Sequence, residues 1–480
     1  MYMIIRVINV KKTKIIVTIG PSSKDIEVLR NLMKSGMDVA RINLTHASHE
    51  FCEDIVNKIN MLNKELNKNV SIMFDLKGPD ITVSKFVGGS AYLNTGDKIR
   101  IYADEILGDS TKFSTSYPNL INVVKTNTII KINDGLIELN VLEKGLNYIL
   151  CEVIHGGFIE DNKGINIIGV SANLPFLNEK DKQDIVLANK LNVDYIALSL
   201  IKNVEDVLQI NDLLINLGND HIGVIAKIEN ESALEDIDEI IKNSEAVMIA
   251  RGDLGVELPL ERIPGIQKMI INKCHLYGKV SIVATEMMSS MENKVRPTRA
   301  EVSDCATAVL EGVDAVMLSG ETTIGKYPVE TLETMSKIVE TAELDQDYLG
   351  FLDKSIRSEK QDITGNVALS SVECAMRLKC GGIIIPTMSG YTARKISRFR
   401  PVCPVIALTP NKEVLKSLNI YYGIYPVLIE ETRSFDKIMD ISKETAKQIL
   451  KLKENDKIIV TGGYPFKEVK HTNFMKIEEI

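Results

Sequence analysis

Eight short apolar runs are spread along the first two thirds of the chain, and each stops abruptly at polar or charged residues before a stretch of helical periodicity. The runs are 15–19, 39–44, 71–74, 195–198, 224–226, 247–249, 280–284 and 315–318. The first ends in Gly20-Pro21-Ser22, the second carries Arg41, Asn43 and Thr45 on one face, and the third ends in Asp75 and Lys77. The other five end in Ser199, Lys227 with Glu229, Arg251-Gly252-Asp253, Thr285-Glu286 and Ser319-Gly320-Glu321. Helical patterns follow at 25–35, 50–66, 180–190, 204–217, 232–242, 266–277, 298–310 and 329–341, the seventh opened by a Thr298-to-Glu301 capping box. Eight strand–helix units of this kind predict an α/β chain built on a (β/α)8 TIM barrel, whose working residues stand at the C-terminal strand ends.

Two segments fall outside the repeat and divide the chain. Residues 81–169 are rich in Gly, Asn and β-branched residues, with strand-like stretches at 98–102, 128–132, 137–141 and 149–153 and turn chemistry at Gly96-Asp97 and Asp134-Gly135. This predicts a small β-barrel lid inserted in a barrel loop. The barrel is then 1–80 and 170–344. Residues 345–480 form a C-terminal α/β unit, entered through a polar link up to Thr364 and alternating 367–378, 382–386, 392–398, 405–408, 435–450 and 457–460.

Composition narrows the class. Apolar residues make up 45% of the 480, enough for several cores, and no apolar run is long enough to span a bilayer. The opening ten residues lack the basic start and small-residue cleavage site of a signal peptide. Seven cysteines without a C-x-x-C pair suggest a reducing, cytoplasmic setting and no zinc site. A net charge of −8, spread along the chain, argues against nucleic acid as a partner.

The fifth and sixth strand exits are the most informative. Lys227 and Glu229 leave one strand on the same face, and Asp253 follows the next strand. One cation beside two carboxylates is a site for a divalent metal and an anionic substrate. Gly252 and Asp253 open a turn into a short helix whose N–H groups face the same mouth. A salt bridge between Lys227 and Glu229, or a surface ion pair of Arg41, are the plain alternatives.

Lys14-Ile15-Ile16-Val17-Thr18-Ile19-Gly20-Pro21, Arg41-Ile42-Asn43-Leu44-Thr45-His46 and Asp75-Leu76-Lys77-Gly78-Pro79 resemble segments of pyruvate kinases. So do Lys227-Ile228-Glu229-Asn230, the stretch 250–257, Pro297-Thr298-Arg299-Ala300-Glu301 and Met317-Leu318-Ser319-Gly320-Glu321-Thr322. They occur in that family's order, from about Lys12 to the C-terminus. The resemblance implies phosphoryl transfer from phosphoenolpyruvate to ADP, with Mg²⁺ (or Mn²⁺) on Glu229 and Asp253. It implies that Lys227 stabilises the transferring phosphoryl and enolate oxygen and that Arg41 offers its planar fork to the phosphate. Gly252 and Asp253 would hold the substrate, and Thr285 with Ser319 would orient a proton relay. For Thr285 the alternative is a hydroxyl satisfied by backbone. Nucleotide contacts fall on Asn43, Leu44, Thr45, His46 and Lys163, the last with a solvated lysine as its alternative.

The resemblance also implies K⁺, with ligands at Asn43, Thr45, Asp75 and the Leu76 carbonyl. Here Leu76 replaces the usual Thr, Asp80 the usual Glu or Lys, Thr82 an Arg and Glu286 a Gln. Asp80 adds negative charge, so charge balance predicts K⁺ dependence. In the last unit, Thr387, Ser389, Gly390 and Thr392 form a hydroxyl-rich loop before a helix, which reads as a phosphate site or as a plain helix cap. By resemblance this loop binds a sugar-phosphate activator, expected to be fructose 1,6-bisphosphate, in a homotetramer, together with a later loop from Thr461-Gly462-Gly463 to Thr472-Asn473. A metal-dependent enolate lyase and an inactive sugar-phosphate sensor are the alternative functions. The inserted lid argues against the first, and intact Lys227, Glu229, Asp253 and Arg41 against the second.

Overall fold

The computed structural model describes residues 11–170, 174–219, 221–358, 362–432, 434–465 and 471–480. The reading of the first ten residues, and part of the loop before Thr472, fall outside them. The barrel strands are β1 (Lys14–Thr18), β2 (Val39–Asn43), β3 (Ser71–Asp75), β4 (Tyr195–Leu198), β5 (Gly223–Ile228), β6 (Ala246–Ala250), β7 (Val280–Ala284) and β8 (Ala315–Leu318). All neighbours are parallel, and β8 returns to β1 to close the barrel. Alternation along the strands sets two cores: Ile15 and Val17 pack outward under the helices, while Ile16, Met73, Ile225, Met248 and Met317 fill the interior.

Short polar caps start the barrel helices. Asp25, Ser48, Asn178, Asn203 and Asn230 each accept a backbone N–H, and the Thr298–Glu301 capping box is complete. One expected helix is wrong. Residues 232–242 form two helices, Glu231–Glu235 and Ile237–Asn243, broken at Asp236. The Asp236 carboxylate accepts the Val204 N–H at 2.7 Å, a tertiary bond at the start of the preceding helix that local periodicity does not reveal.

The lid holds its own core of aliphatic residues and Phe86, Phe113 and Tyr117. Its six-stranded sheet runs Ile165–Ile167, Ile129–Ile132, Ile137–Lys144, Tyr148–His155, Lys98–Tyr102, Lys112–Ser114. The entering chain bridges both edges, Thr82 to Gly164 and Val83 to Thr115, and so rounds the sheet into a barrel. The short strands Ser90–Leu93, Lys112–Ser114, Gly157–Glu160 and Ile165–Ile167 were not expected; three or four residues carry too little alternation to stand out.

The C-terminal sheet comprises β9 (Gly382–Pro386), β10 (Val405–Thr409), β11 (Ile424–Leu428), β12 (Lys457–Gly462) and β13 (Phe474–Glu479), in the order β11-β10-β9-β12-β13. Only β13 is antiparallel. The polar link before it is in part a helix, Tyr348–Ser358, with Leu352 buried, an element not expected from the sequence. This unit covers the N-terminal end of the barrel: Lys14 donates to the Ile424 carbonyl at 2.7 Å, Tyr195 to that of Ser417 at 2.9 Å, and Arg400 pairs with Asp314 at 2.7 Å. The lid stands at the opposite, C-terminal end. Among the described residues no helix is long and apolar enough to cross a membrane, and all seven cysteines are free.

Candidate active site

The eight strand exits converge at the C-terminal mouth, and a buried charge network forms its floor. Arg41 and Asp75 come from the adjacent ends of β2 and β3; Nε and Nη2 of Arg41 each lie 2.7 Å from the Asp75 carboxylate, and Nη1 donates to Thr18 Oγ1 at 2.9 Å. The fork expected to face a phosphate is therefore engaged by a buried carboxylate, and the surface-pair alternative is equally excluded by burial. Lys227 lies 2.7 Å from Glu229 and 3.4 Å from Asp75, and donates to Ser199 Oγ at 2.7 Å. The Lys227–Glu229 salt bridge, treated from the sequence as the lesser alternative, is present. Two residues apart on one strand, the two side chains run parallel into the same mouth.

Electrostatics follow from burial. Desolvation alone would discharge Lys227, but Asp75 and Glu229 outweigh it and hold the ammonium charged. Burial likewise works against the Asp75 carboxylate, and Lys227 and Arg41 pull its pKa below the usual range. Burial, opposed by Lys227 and reinforced by Asp253, pushes the Glu229 carboxyl up to about 7. Asp253 itself is exposed in the first turn of the helix Arg251–Glu257.

Backbone strain collects at these exits. Leu200, Thr285 and Glu286 all adopt positive φ (58°, 66° and 53°), costly for non-glycine residues and above all for a β-branched one. At Leu200 the turn directs the N–H to Glu229 at 2.5 Å. At Thr285 it sets Oγ1 to accept the Gly252 N–H at 2.8 Å and to donate to the Ala284 carbonyl at 2.6 Å. Thr285 thus takes its backbone-satisfied alternative, and one helical N–H reserved for substrate is occupied. Ser319 caps the exit of β8: its N–H goes to Glu321 at 2.8 Å, and its buried Oγ has no protein partner. Among the described residues no hydrogen bond joins Ser319 Oγ to Thr285.

The remaining expected residues lie around the rim. Asn43 Oδ1 accepts the Thr45 N–H at 3.0 Å, Leu44 gives its N–H to the Asp75 carbonyl, and Thr45 and His46 are exposed. The Leu76 carbonyl accepts from Ser199 at 2.8 Å. Lys163 reaches Glu160 at 3.2 Å, the solvated alternative. Asp80 pairs with Lys77 at 3.0 Å, so its charge is not added in full to that of Asp75, which weakens the charge-balance argument for K⁺. Ser199 was legible only as a strand exit, yet it bridges Lys227 to the Leu76 carbonyl. Among the described residues no group of three or more His, Cys, Asp and Glu could hold a metal, so Glu229 and Asp253 are joined by no third ligand of these types.

In the C-terminal unit, Thr387 Oγ1 accepts the Gly390 N–H at 2.9 Å, and Gly390 sits at φ 76°. Thr392 is buried against Thr472 at 2.8 Å. Thr387, Ser389 and Thr392 line a cleft that is also bordered by Glu430, Glu431 and His471.

Residues 10–332 match the family described as pyruvate kinase, barrel domain, and residues 365–478 match pyruvate kinase, alpha/beta domain. The chain belongs to the pyruvate kinase family. It is 40% identical over 473 residues to the pyruvate kinase of Clostridium perfringens, covering 98% of this chain and 100% of that one. Identity to that of Geobacillus stearothermophilus is 39% over 472 residues, covering 98% of this chain and 80% of the longer relative. A crystal structure of a pyruvate kinase from Cryptosporidium parvum superposes with a TM-score of 0.93 at 36% identity, covering 98% of this chain and 96% of that one. As a pyruvate kinase family member the chain is a phosphotransferase, making pyruvate and ATP from phosphoenolpyruvate and ADP in the final step of glycolysis.

Proposed function

We propose that this transfer runs over the charge network at the barrel mouth, with Lys227 as the catalytic cation. The observation that carries the reading is a buried ammonium kept charged between Asp75, Ser199 and Glu229. Phosphoryl transfer is governed by positioning and by charge stabilisation, and a fixed cation in a dry mouth is most effective where charge develops on the phosphoryl and enolate oxygens. Asp75 and Ser199 keep Lys227 aimed at the mouth. Arg41, braced by Asp75 and Thr18, contributes a second fixed positive charge for the substrate phosphate.

The donor set fits a hard divalent ion. Glu229 and Asp253 offer oxygens from adjacent strand exits, and two carboxylates leave room for substrate oxygens and water, as Mg²⁺ (or Mn²⁺) prefers. Bound there, the ion would neutralise phosphate charge. For K⁺, Asn43 and Asp75 are registered partners on β2 and β3, and Thr45 and the Leu76 carbonyl follow directly. Thr285 and Ser319 would orient water for protonation of the product enolate. Asn43, Leu44, Thr45, His46 and, from the lid, Lys163 would meet the nucleotide, and Gly252 with Asp253 the substrate. The free cysteines accord with a cytoplasmic location.

Pyruvate formation, followed in a coupled assay with each of phosphoenolpyruvate, ADP, Mg²⁺ and K⁺ omitted in turn, tests this reading. Turnover that persists without a divalent ion would refute the assignment of Glu229 and Asp253.

A further inference from the structure

The helix Arg251–Glu257 carries Gly252 and Asp253, yet at seven residues it is too short to hold its own shape in water. Groups from outside fix both ends. At its start, Gly252 donates to Thr285 Oγ1, and Arg251 reaches Asp304 at 2.7 Å and the Thr285 carbonyl at 2.8 Å. At its other end the partners come from the lid. Lys131 Nζ donates to the Val256 carbonyl at 2.7 Å, and Asn166 Nδ2 donates to Glu257 Oε1 at 3.1 Å. Lys131 and Asn166 are registered partners on the antiparallel strands Ile129–Ile132 and Ile165–Ile167, so both side chains leave one face of the lid sheet. The turn that joins Ile129–Ile132 to the next strand, Ile137–Lys144, lies against the helix too: a Cβ on Gly135 would meet the Val256 methyls at 3.9 Å. A lysine ammonium at the terminal carbonyls of a helix also suits the sign of the helix dipole.

We propose that Lys131 and Asn166 are positioning residues for phosphoryl transfer, a two-point clamp through which lid docking sets the helix that bears Gly252 and Asp253. This deepens the reading of the mouth given above and takes from it the meaning of Asp253. The clamp makes lid closure and site geometry one event: the lid excludes water from the mouth and in the same movement fixes one end of the helix.

Asn166→Asp sets a carboxylate against Glu257. Its kcat is expected to fall about tenfold with KM for phosphoenolpyruvate changed less than about twofold, because the clamp acts on the assembled site. Amide hydrogen exchange is expected to quicken across residues 251–258 and 129–137 and nowhere in β1–β3. Adding Glu257→Gln restores a donor–acceptor pair, and this double variant is expected to regain most of both kcat and protection. Lys131→Met should act in the same direction and Lys131→Arg should not. Unchanged kcat in both Asn166→Asp and Lys131→Met, or no recovery in the double variant, would overturn the clamp. Failure of the underlying site reading would look different: Lys227→Met would keep its turnover while the exchange pattern of the clamp variants stood as expected.

Discussion

Lys227 shows how far a single side chain can be read. Its place at a strand exit, its charge and the alternative of a pair with Glu229 are written in the sequence; its partners Asp75 and Ser199 are not, because they arrive from the ends of other strands. Lys227→Met keeps the length of the side chain and removes the ammonium. It is expected to lower kcat by at least two orders of magnitude, about 3–4 kcal/mol of transition-state stabilisation, while circular dichroism and thermal unfolding report an intact fold. A kcat near that of the parent enzyme would remove Lys227 from the mechanism. K⁺ is the second case at this scale. The Asp80–Lys77 pair blunts the extra charge, yet Asn43, Thr45, Asp75 and the Leu76 carbonyl still offer only oxygens to an ion. Activity is expected to depend on K⁺, and Asp80→Lys to reduce that dependence; equal kcat in K⁺ and in a bulky organic cation at matched ionic strength would show otherwise.

The lid is joined to the barrel at Gly78, and here the element depends on one backbone position. Gly78 adopts φ 76°, its carbonyl accepts from Asn178 at 3.3 Å, and its N–H points to Asp181 at 3.4 Å. A Cβ there would come within 2.7 Å of the Ser199 carbonyl. Ser199 is the hydroxyl to which Lys227 donates, so strain at the hinge is transmitted to the site. Gly78→Ala is expected to cost about 1–3 kcal/mol of stability in a denaturant titration and to lower kcat as well. A variant of parental stability and rate would show that the hinge yields freely. Long, regular elements were legible: the helix Phe435–Leu450 and the strand Tyr195–Leu198 match their expected bounds. The break at Asp236, the helix Tyr348–Ser358 and the short lid strands were not, since each depends on contacts from elsewhere in the chain.

At the scale of the whole molecule, the C-terminal unit meets the barrel through charge buried beneath the strands. Arg400 is fully buried, donates to Asp314 at 2.7 Å and to the Gly312 carbonyl, and approaches His275 Nε2 at 2.6 Å. Burial, with Arg400 adding, pushes His275 down to about 3. Below pH about 6.5 the unfolded chain then binds a proton that the folded one refuses, so the His275 contribution falls with pH by about 1.4 kcal/mol per unit. His275→Asn should be less stable than the parent at pH 7, and the gap should narrow toward pH 5; a gap constant across that range would contradict the buried neutral imidazole. The hydroxyl-lined cleft at Thr387, Ser389 and Thr392 lies in the same unit. We expect a sugar phosphate, fructose 1,6-bisphosphate first, to bind there and raise the activity of a homotetramer, and Ser389→Glu to abolish the effect; activity indifferent to sugar phosphates and to that substitution would count against it. The sequence by itself determined the barrel, the lid's insertion point and the exits that carry Arg41, Lys227, Glu229, Asp253 and Thr285, because strand and helix periods and their polar stops are local properties of the chain. Only the tertiary structure decided that Arg41 is braced by Asp75, that Lys227 pairs with Glu229, that Thr285 is strained and tied to Gly252, and that lid and C-terminal unit occupy opposite ends of the barrel. Apart from the Lys227–Glu229 pair, which is local to one strand exit, the contacts of the site arise from setting strand ends side by side in one ring, which brings together side chains that local pattern cannot relate.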